Sequence, residues 1–344
     1  MSDLPKKVDI QEEGPREGFQ IEPGPISTER KIELIDALSA TGLKKIQVAS
    51  FVNPKRVPGW ADADAVIDGF AAKEGIVYHA LWLNEKGIER AMQHSDKLTH
   101  MGSISTTASE TFMKHNTNRG FEINREVQRG QLKLYKKYGI EVRRASLMTA
   151  FGCNFEGSVA PGTAVERLRE ILDIAAEEGT DIEILSLADT MGWAAPKGIK
   201  EVVGKVRETW PDKRICLHLH DTRGMGVANV YAGMEMGVDL FDSSVAGLGG
   251  CPFAALKGAA GNVCTEDVVF LCNELGIETG VDLDKLLMTK AAQANKRGHV
   301  CPCVRGRPSF AAGRVRRRIP DCPGGLGRRQ PHNSRAARPG MPKR

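Results

Sequence analysis

The sequence predicts a (β/α)8 TIM barrel of the α/β class, with a short C-terminal helical extension and a basic tail. Two observations carry that expectation. From residue 8 to about 277, short β-branched apolar runs alternate eight times with longer stretches of helical periodicity. Eight strand–helix units of such regularity suit a barrel better than an open doubly wound sheet. Polar and reactive residues also recur just past the runs: Arg16 and Glu17, Gln47 and Ser50, Asn84, Asp189 and Thr190, His218 and His220, and Cys251. A barrel gathers its functional groups at that C-terminal face.

In chain order, strands are expected at 8–11, 45–49, 76–83, 97–104, 141–149, 181–187, 214–220 and 239–243. Helices are expected between them at 27–40, 63–73, 85–93, 107–138, 163–178, 196–208 and 226–237, then at 265–275. Ser27 opens the first of these, with Glu29 in its first turn. Gly42, Gly139, Gly179 and Gly237 stand where helices should stop. One more helix opens at 281 and is expected to reach about 296. Beyond Val300 the periodicity vanishes, Arg replaces Lys, and Gly and Pro become frequent. Residues 1–300 are therefore expected to form the barrel domain, and 301–344 a disordered basic tail. Two explanations fit the tail: a basic appendage, or translation out of frame from GC-rich coding sequence. The second is preferred, and resequencing near the codon for Val300 tests it.

The formal net charge of +5 misleads. Residues 301–344 hold eleven Arg and one Lys against Asp321 alone, a net +11 that leaves −6 for the body. Phe310 is the tail's one aromatic residue, so a base-stacking nucleic-acid site is not expected. The 41% apolar content is ample for a core, and no apolar run approaches the ~20 residues of a membrane span. Residues 1–7 lack the apolar stretch of a signal peptide. The eight scattered cysteines suit reduced thiols rather than a disulfide framework. A cytoplasmic protein is expected.

His218-Leu219-His220 is the sharpest chemical signal. Residues two apart in a strand share a face, so both imidazoles would project together. Joined by carboxylate or amide oxygens, such a pair binds a divalent cation; alone, it better suits two half-buried structural histidines. The glycine run Gly247-Leu248-Gly249-Gly250 lacks a following Gly-Lys-Ser/Thr, which excludes an NTP loop.

Five motifs, met in order, change those odds. They are Glu12-Glu13-Gly14-Pro15-Arg16-Glu17-Gly18-Phe19-Gln20, Ser50-Phe51-Val52-Asn53-Pro54-Lys55, Leu187-Ala188-Asp189-Thr190-Met191-Gly192, His218-Leu219-His220-Asp221-Thr222, and the run from Asp242 through Cys251-Pro252 with Gly261-Asn262 downstream. Over residues 8–290 the chain resembles the hydroxymethylglutaryl-CoA lyase family, within the metal-dependent barrel lyases and Claisen-type synthases. The resemblance implies retro-Claisen cleavage of a 3-hydroxyacyl-CoA to acetyl-CoA and a keto acid, as in leucine degradation and ketone-body metabolism. It implies a cation, Mg²⁺ or Mn²⁺ with zinc as an alternative, held by Glu17, His218, His220 and Asn262. It assigns Arg16 to the enolate, Cys251 to carbanion protonation, Asp189 to the substrate hydroxyl, and Asn116 to coenzyme A. Asp221 and Thr222 would orient the imidazoles, and a homodimer is implied.

The chain departs from the family pattern at three places. Glu17 stands where the family has Asp, a reach longer by roughly 1.5 Å. Gln47 stands where the family has Glu, and an amide carries neither charge nor basicity. The interval from Cys251 to Asn262 is longer by about two residues. These changes leave three alternatives beside hydroxymethylglutaryl-CoA cleavage: a related substrate such as a citramalyl-CoA-like thioester, a Claisen-type synthase, and a non-catalytic binding barrel.

Overall fold

The computed structural model describes residues 4–21, 26–250 and 261–289. The expected basic tail and Cys251 lie outside them.

Eight parallel strands form one sheet: β1 (Asp9–Glu12), β2 (Lys45–Ser50), β3 (Val77–Leu81), β4 (Met101–Thr107), β5 (Glu141–Met148), β6 (Ile184–Ala188), β7 (Arg214–His218) and β8 (Leu240–Ser243). Their order is β3-β2-β1-β8-β7-β6-β5-β4, the cyclic order of a barrel cut once between β3 and β4. Across that cut, Thr99 N–H donates to the Tyr78 carbonyl at 2.8 Å, so the barrel is nearly closed. The helices are α1 (Gly14–Ile21), α2 (Thr28–Leu38), α3 (Ala63–Gly69), α4 (Glu85–Met92), α5 (Glu110–Thr117), α6 (Phe121–Lys137), α7 (Pro161–Glu177), α8 (Pro196–Thr209), α9 (Gly226–Glu235), α10 (Thr265–Leu275) and α11 (Leu283–Leu287). No helix among the described residues is long and apolar enough to cross a membrane.

The outer face of the barrel is apolar and sealed by helices. Ile46, Val48, Leu185, Leu187, Ile215, Leu217 and Phe241 are buried with Leu34 and Ile35 of α2, Leu168 of α7, and Val203 and Val206 of α8. Each such side chain contributes about 1.5–3 kcal/mol by leaving water. The expected helix stops hold, since Gly42, Gly139, Gly179 and Gly237 all adopt left-handed φ.

Three expected boundaries are corrected. The single helix over 107–138 is two, because Asn118 turns left-handed at φ 56° and ends α5. Ser109 caps α5 by accepting from the Phe112 amide at 3.0 Å. The fourth strand lies at Met101–Thr107, later than 97–104, because its Ser and Thr residues belong to the ladder. The seventh ends at His218, and His220 instead forms an isolated antiparallel bridge with Asn262.

Candidate metal centre and active site

The barrel lumen is polar. Arg144 on β5 reaches across to the Ser186 hydroxyl at 2.6 Å and pairs through both nitrogens with the Asp242 carboxylate on β8. Asp242 also accepts from His218 Nδ1–H at 3.1 Å. Burial pushes the Asp242 carboxyl up, but Arg144 and His218 more than reverse this and hold it well below the usual range. With Nδ1 tied to a carboxylate, His218 presents Nε2 toward Glu17 Oε1, 3.9 Å away.

His220 is fixed the same way by a different partner. Its Nδ1–H donates to the Thr190 carbonyl at 2.8 Å, and its Nε2 is buried with no hydrogen-bond partner. Glu17, in the first turn of α1, completes a group whose ligand atoms all lie within 4.8 Å of one another: Glu17, His218 and His220. Asn262 joins through its amide, which donates to Glu17 Oε2 and to the Leu248 carbonyl, leaving Oδ1 as an acceptor. Burial would raise the Glu17 carboxyl, but Arg16 and the two imidazoles outweigh it and bring it to about 2. Burial and the neighbouring His218 push His220 down to about 4. Burial lowers His218 too, but Asp242 and Glu17 reverse that and leave it raised. An ionised carboxylate beside a neutral imidazole with a free ring nitrogen is a donor set that fits a divalent cation. Gly249, at φ 91°, keeps this cradle open, since a Cβ there would sit 2.6 Å from Asn262 Nδ2 and 2.7 Å from Glu17 Cβ.

Arg16 lies beside the group. It pairs with Glu13 at 2.8 Å and Glu17 at 3.0 Å, and its Nε donates to the Gln47 side-chain oxygen. Its carbonyl accepts from Trp60 Nε1 at 2.9 Å, which anchors the start of α1. Asp189 follows β6 and divides its work. Oδ1 accepts from the Trp193 and Ala194 amides at 2.6 and 3.0 Å, a turn-capping role, while Oδ2 is buried without a partner. Burial raises its carboxyl to about 6 against those amides.

Other candidates are not brought in. Asn116 is exposed on α5 and makes no hydrogen bond to any of these residues. Asn84 caps α4 by accepting from the Gly87 amide at 3.0 Å. Asp221 orients neither imidazole; it accepts from the Gly226 amide at 2.7 Å at the start of α9. Its expected task falls to Asp242 and the Thr190 carbonyl. Sequence reasoning missed Arg144, and it met Asp242 and Glu13 within the motifs but gave them no role. It also missed two clamps on the turn before Gly249. Glu12 accepts from the Val245 and Gly14 amides and the Thr265 hydroxyl, and Glu266 from the Ala246 amide.

A family model described as HMGL-like matches residues 7–292. The chain belongs to the HMGL-like family. It is 39% identical over 306 residues to a hydroxymethylglutaryl-CoA lyase of Bacillus subtilis, covering 87% of this chain and 96% of that one. Its fold matches the crystal structure of a hydroxymethylglutaryl-CoA lyase from Pseudomonas aeruginosa with a TM-score of 0.76 and 37% identity, over 88% of this chain and 95% of that one. An HMG-CoA lyase from Acinetobacter baumannii, solved with coenzyme A and 3-methylmalate, matches with a TM-score of 0.73 and 34% identity, over 85% and 92% of the two chains. The HMGL-like match spans the whole barrel, from two residues before β1 to beyond α11.

Proposed function

We propose that this HMGL-like protein is a divalent-metal-dependent carbon–carbon lyase. It cleaves 3-hydroxy-3-methylglutaryl-CoA, or a closely related 3-hydroxyacyl-CoA, to acetyl-CoA and a keto acid, acetoacetate in the first case. The observation that carries this reading is the convergence of Glu17, His218 and His220, with both Nδ1 atoms already engaged and the His220 Nε2 left bare.

Glu17, His218, His220 and Asn262 would hold Mg²⁺ or Mn²⁺. A cation held there would supply Lewis-acid polarisation of the substrate's C3 hydroxyl. Asp189 accepts the proton of the C3 hydroxyl at Oδ2, its unpaired oxygen. The C2–C3 bond then breaks, and its electron pair passes to the thioester enolate. Arg16, which keeps its proton at any working pH, donates hydrogen bonds to the enolate oxygen. Cys251 gives its thiol proton to C2, which completes acetyl-CoA. This last role rests on the sequence motif. Gln47, as an amide, has no part in proton transfer.

Glu17 and Gln47 both alter the centre itself, which supports a panel of 3-hydroxyacyl-CoA thioesters over one substrate. The test is acetyl-CoA release with Mn²⁺ or Mg²⁺ from the parent, His218→Ala and Cys251→Ala. Release by the parent that collapses in both variants supports the lyase. Folded, metal-loaded parent that cleaves no thioester of the panel overturns it. A homodimer is proposed from the same resemblance, and sedimentation at micromolar concentration decides it.

A further inference from the structure

Glu12 and Glu13 are adjacent in sequence and opposite in use. The alternation of an extended chain sends them to different sides. Glu12 is bound by two backbone amides and Thr265, which is a structural clamp. Glu13 is as deeply buried, yet its side-chain partners are Gln11 and Arg16. A buried carboxylate with no backbone donor depends on its cation for charge compensation.

Each guanidinium nitrogen of Arg16 has one partner, Glu13 at 2.8 Å, Glu17 at 3.0 Å and the uncharged Gln47, which leaves one further N–H on each terminal nitrogen. One cation thus has two carboxylates. Under the metal-dependent reading above, Glu17 must also serve a divalent ion, and a guanidinium that cannot deprotonate stands beside that ion. Without a second anion, Arg16 would compete for Glu17 and repel the ion. Gln47 supplies no charge to prevent this.

We propose that Glu13 is a positioning residue that neutralises Arg16, so that Glu17 is left available to the divalent cation. It acts through Arg16 and Glu17 and touches no reacting atom. The carboxylate needed at this centre thus comes from the residue that follows β1, while β2 contributes only the amide of Gln47.

The test is Mn²⁺ affinity by titration calorimetry on the full chain, with circular dichroism as the check of folding. The proteins are the parent, Glu13→Gln, Gln47→Glu and the double variant. Glu13→Gln is expected to weaken Mn²⁺ binding about tenfold, the size of effect seen when a supporting partner of a metal ligand is lost. Gln47→Glu in the parent background tightens binding severalfold, because it adds a second counter-charge to Arg16. The double variant, with the carboxylate relocated, returns to within about threefold of the parent, as the two opposed single effects require. Glu13→Gln binding within about twofold of the parent, or a double variant as weak as Glu13→Gln, overturns the proposal. Should Glu13→Gln fail to fold, Gln47→Glu decides alone, and unchanged affinity there overturns it. A parent that binds no Mn²⁺ overturns it outright. Thioester cleavage measured alongside separates the two readings. Weakened Mn²⁺ binding in Glu13→Gln that Gln47→Glu restores, without cleavage, sinks the lyase and keeps Glu13 in its role; cleavage without that loss and rescue does the reverse.

Discussion

Replacing Asp242 with Asn tests whether the polar lumen holds the proposed metal ligands in place. Asp242 is 3% exposed in its side chain and Arg144 17%. The variant keeps one oxygen acceptor but removes the charge, leaving Arg144 partnered by the Ser186 hydroxyl and an amide. Breaking a buried pair on one side costs about 3–5 kcal/mol. Arg144 retains some water contact, so the lower end applies, about 3 kcal/mol, or on the order of 10 °C in the unfolding midpoint. His218 suffers separately. An Asn amide does not demand the Nδ1–H tautomer, so Nε2 is no longer held as the free nitrogen, and Mn²⁺ affinity should fall about 10–100-fold. The carboxyl of Asp242 is depressed below its ordinary value of 3.8. Its stabilisation is therefore complete above that pH and lost as the pH falls through the folded-state value. The stability gap between parent and Asp242→Asn should be full at neutral pH and close only in strong acid. Denaturant unfolding at several pH values, with Mn²⁺ titration, measures both effects. A loss below about 1 kcal/mol with unchanged Mn²⁺ affinity would refute the role given to Arg144 and Asp242.

Two further outcomes follow from the same geometry. Gly249→Ala puts a methyl 2.6 Å from Asn262 Nδ2 on a backbone at φ 91°; Mn²⁺ affinity should drop at least about tenfold for roughly 1–3 kcal/mol of stability, and intact affinity would count against the cradle. Burial raises the Glu12 carboxyl from 4.5 to about 8, so its contribution is full below the lower value and lost as pH rises to the upper one. Denaturant midpoints at pH 5 and 8 should show Glu12→Gln gaining on the parent as pH rises, by up to a few kcal/mol; parallel curves would show that Glu12 does not titrate there.

The barrel was legible because its outward face is apolar. Ile46, Val48, Leu185 and Leu187 write the strand rhythm, and the helix stops are left-handed glycines. The lumen was harder to read because it is polar: Ser103, Ser105 and Thr107 carry β4, so apolar spacing placed that strand too early. The metal-ligand candidates were legible as residue types, since His-x-His with a distant acid and amide is a recognisable donor set. Their supports were not. Asp221, next to the histidines, looked like their partner, but the chain turns there to start α9. Asp242, 24 positions from His218, arrives through the pairing of β7 with β8. Glu12 and Glu13 are indistinguishable in sequence, and only the phase of β1 separates a clamp from a counter-charge.

The Glu12 clamp also bears on how the chain is made. Its hydroxyl partner, Thr265, lies 253 residues downstream, and Asn262 is added just before it. Glu17 emerges from the ribosome among the first residues, whereas the histidines and the amide that complete its set come near the end. β1 likewise waits for β8 before its second edge is covered. A chain arrested before residue 262 thus exposes an acidic, half-paired first strand and has no complete cation site. The proposed ligand set of Glu17, His218, His220 and Asn262 is therefore completed only after the last barrel strand has been made.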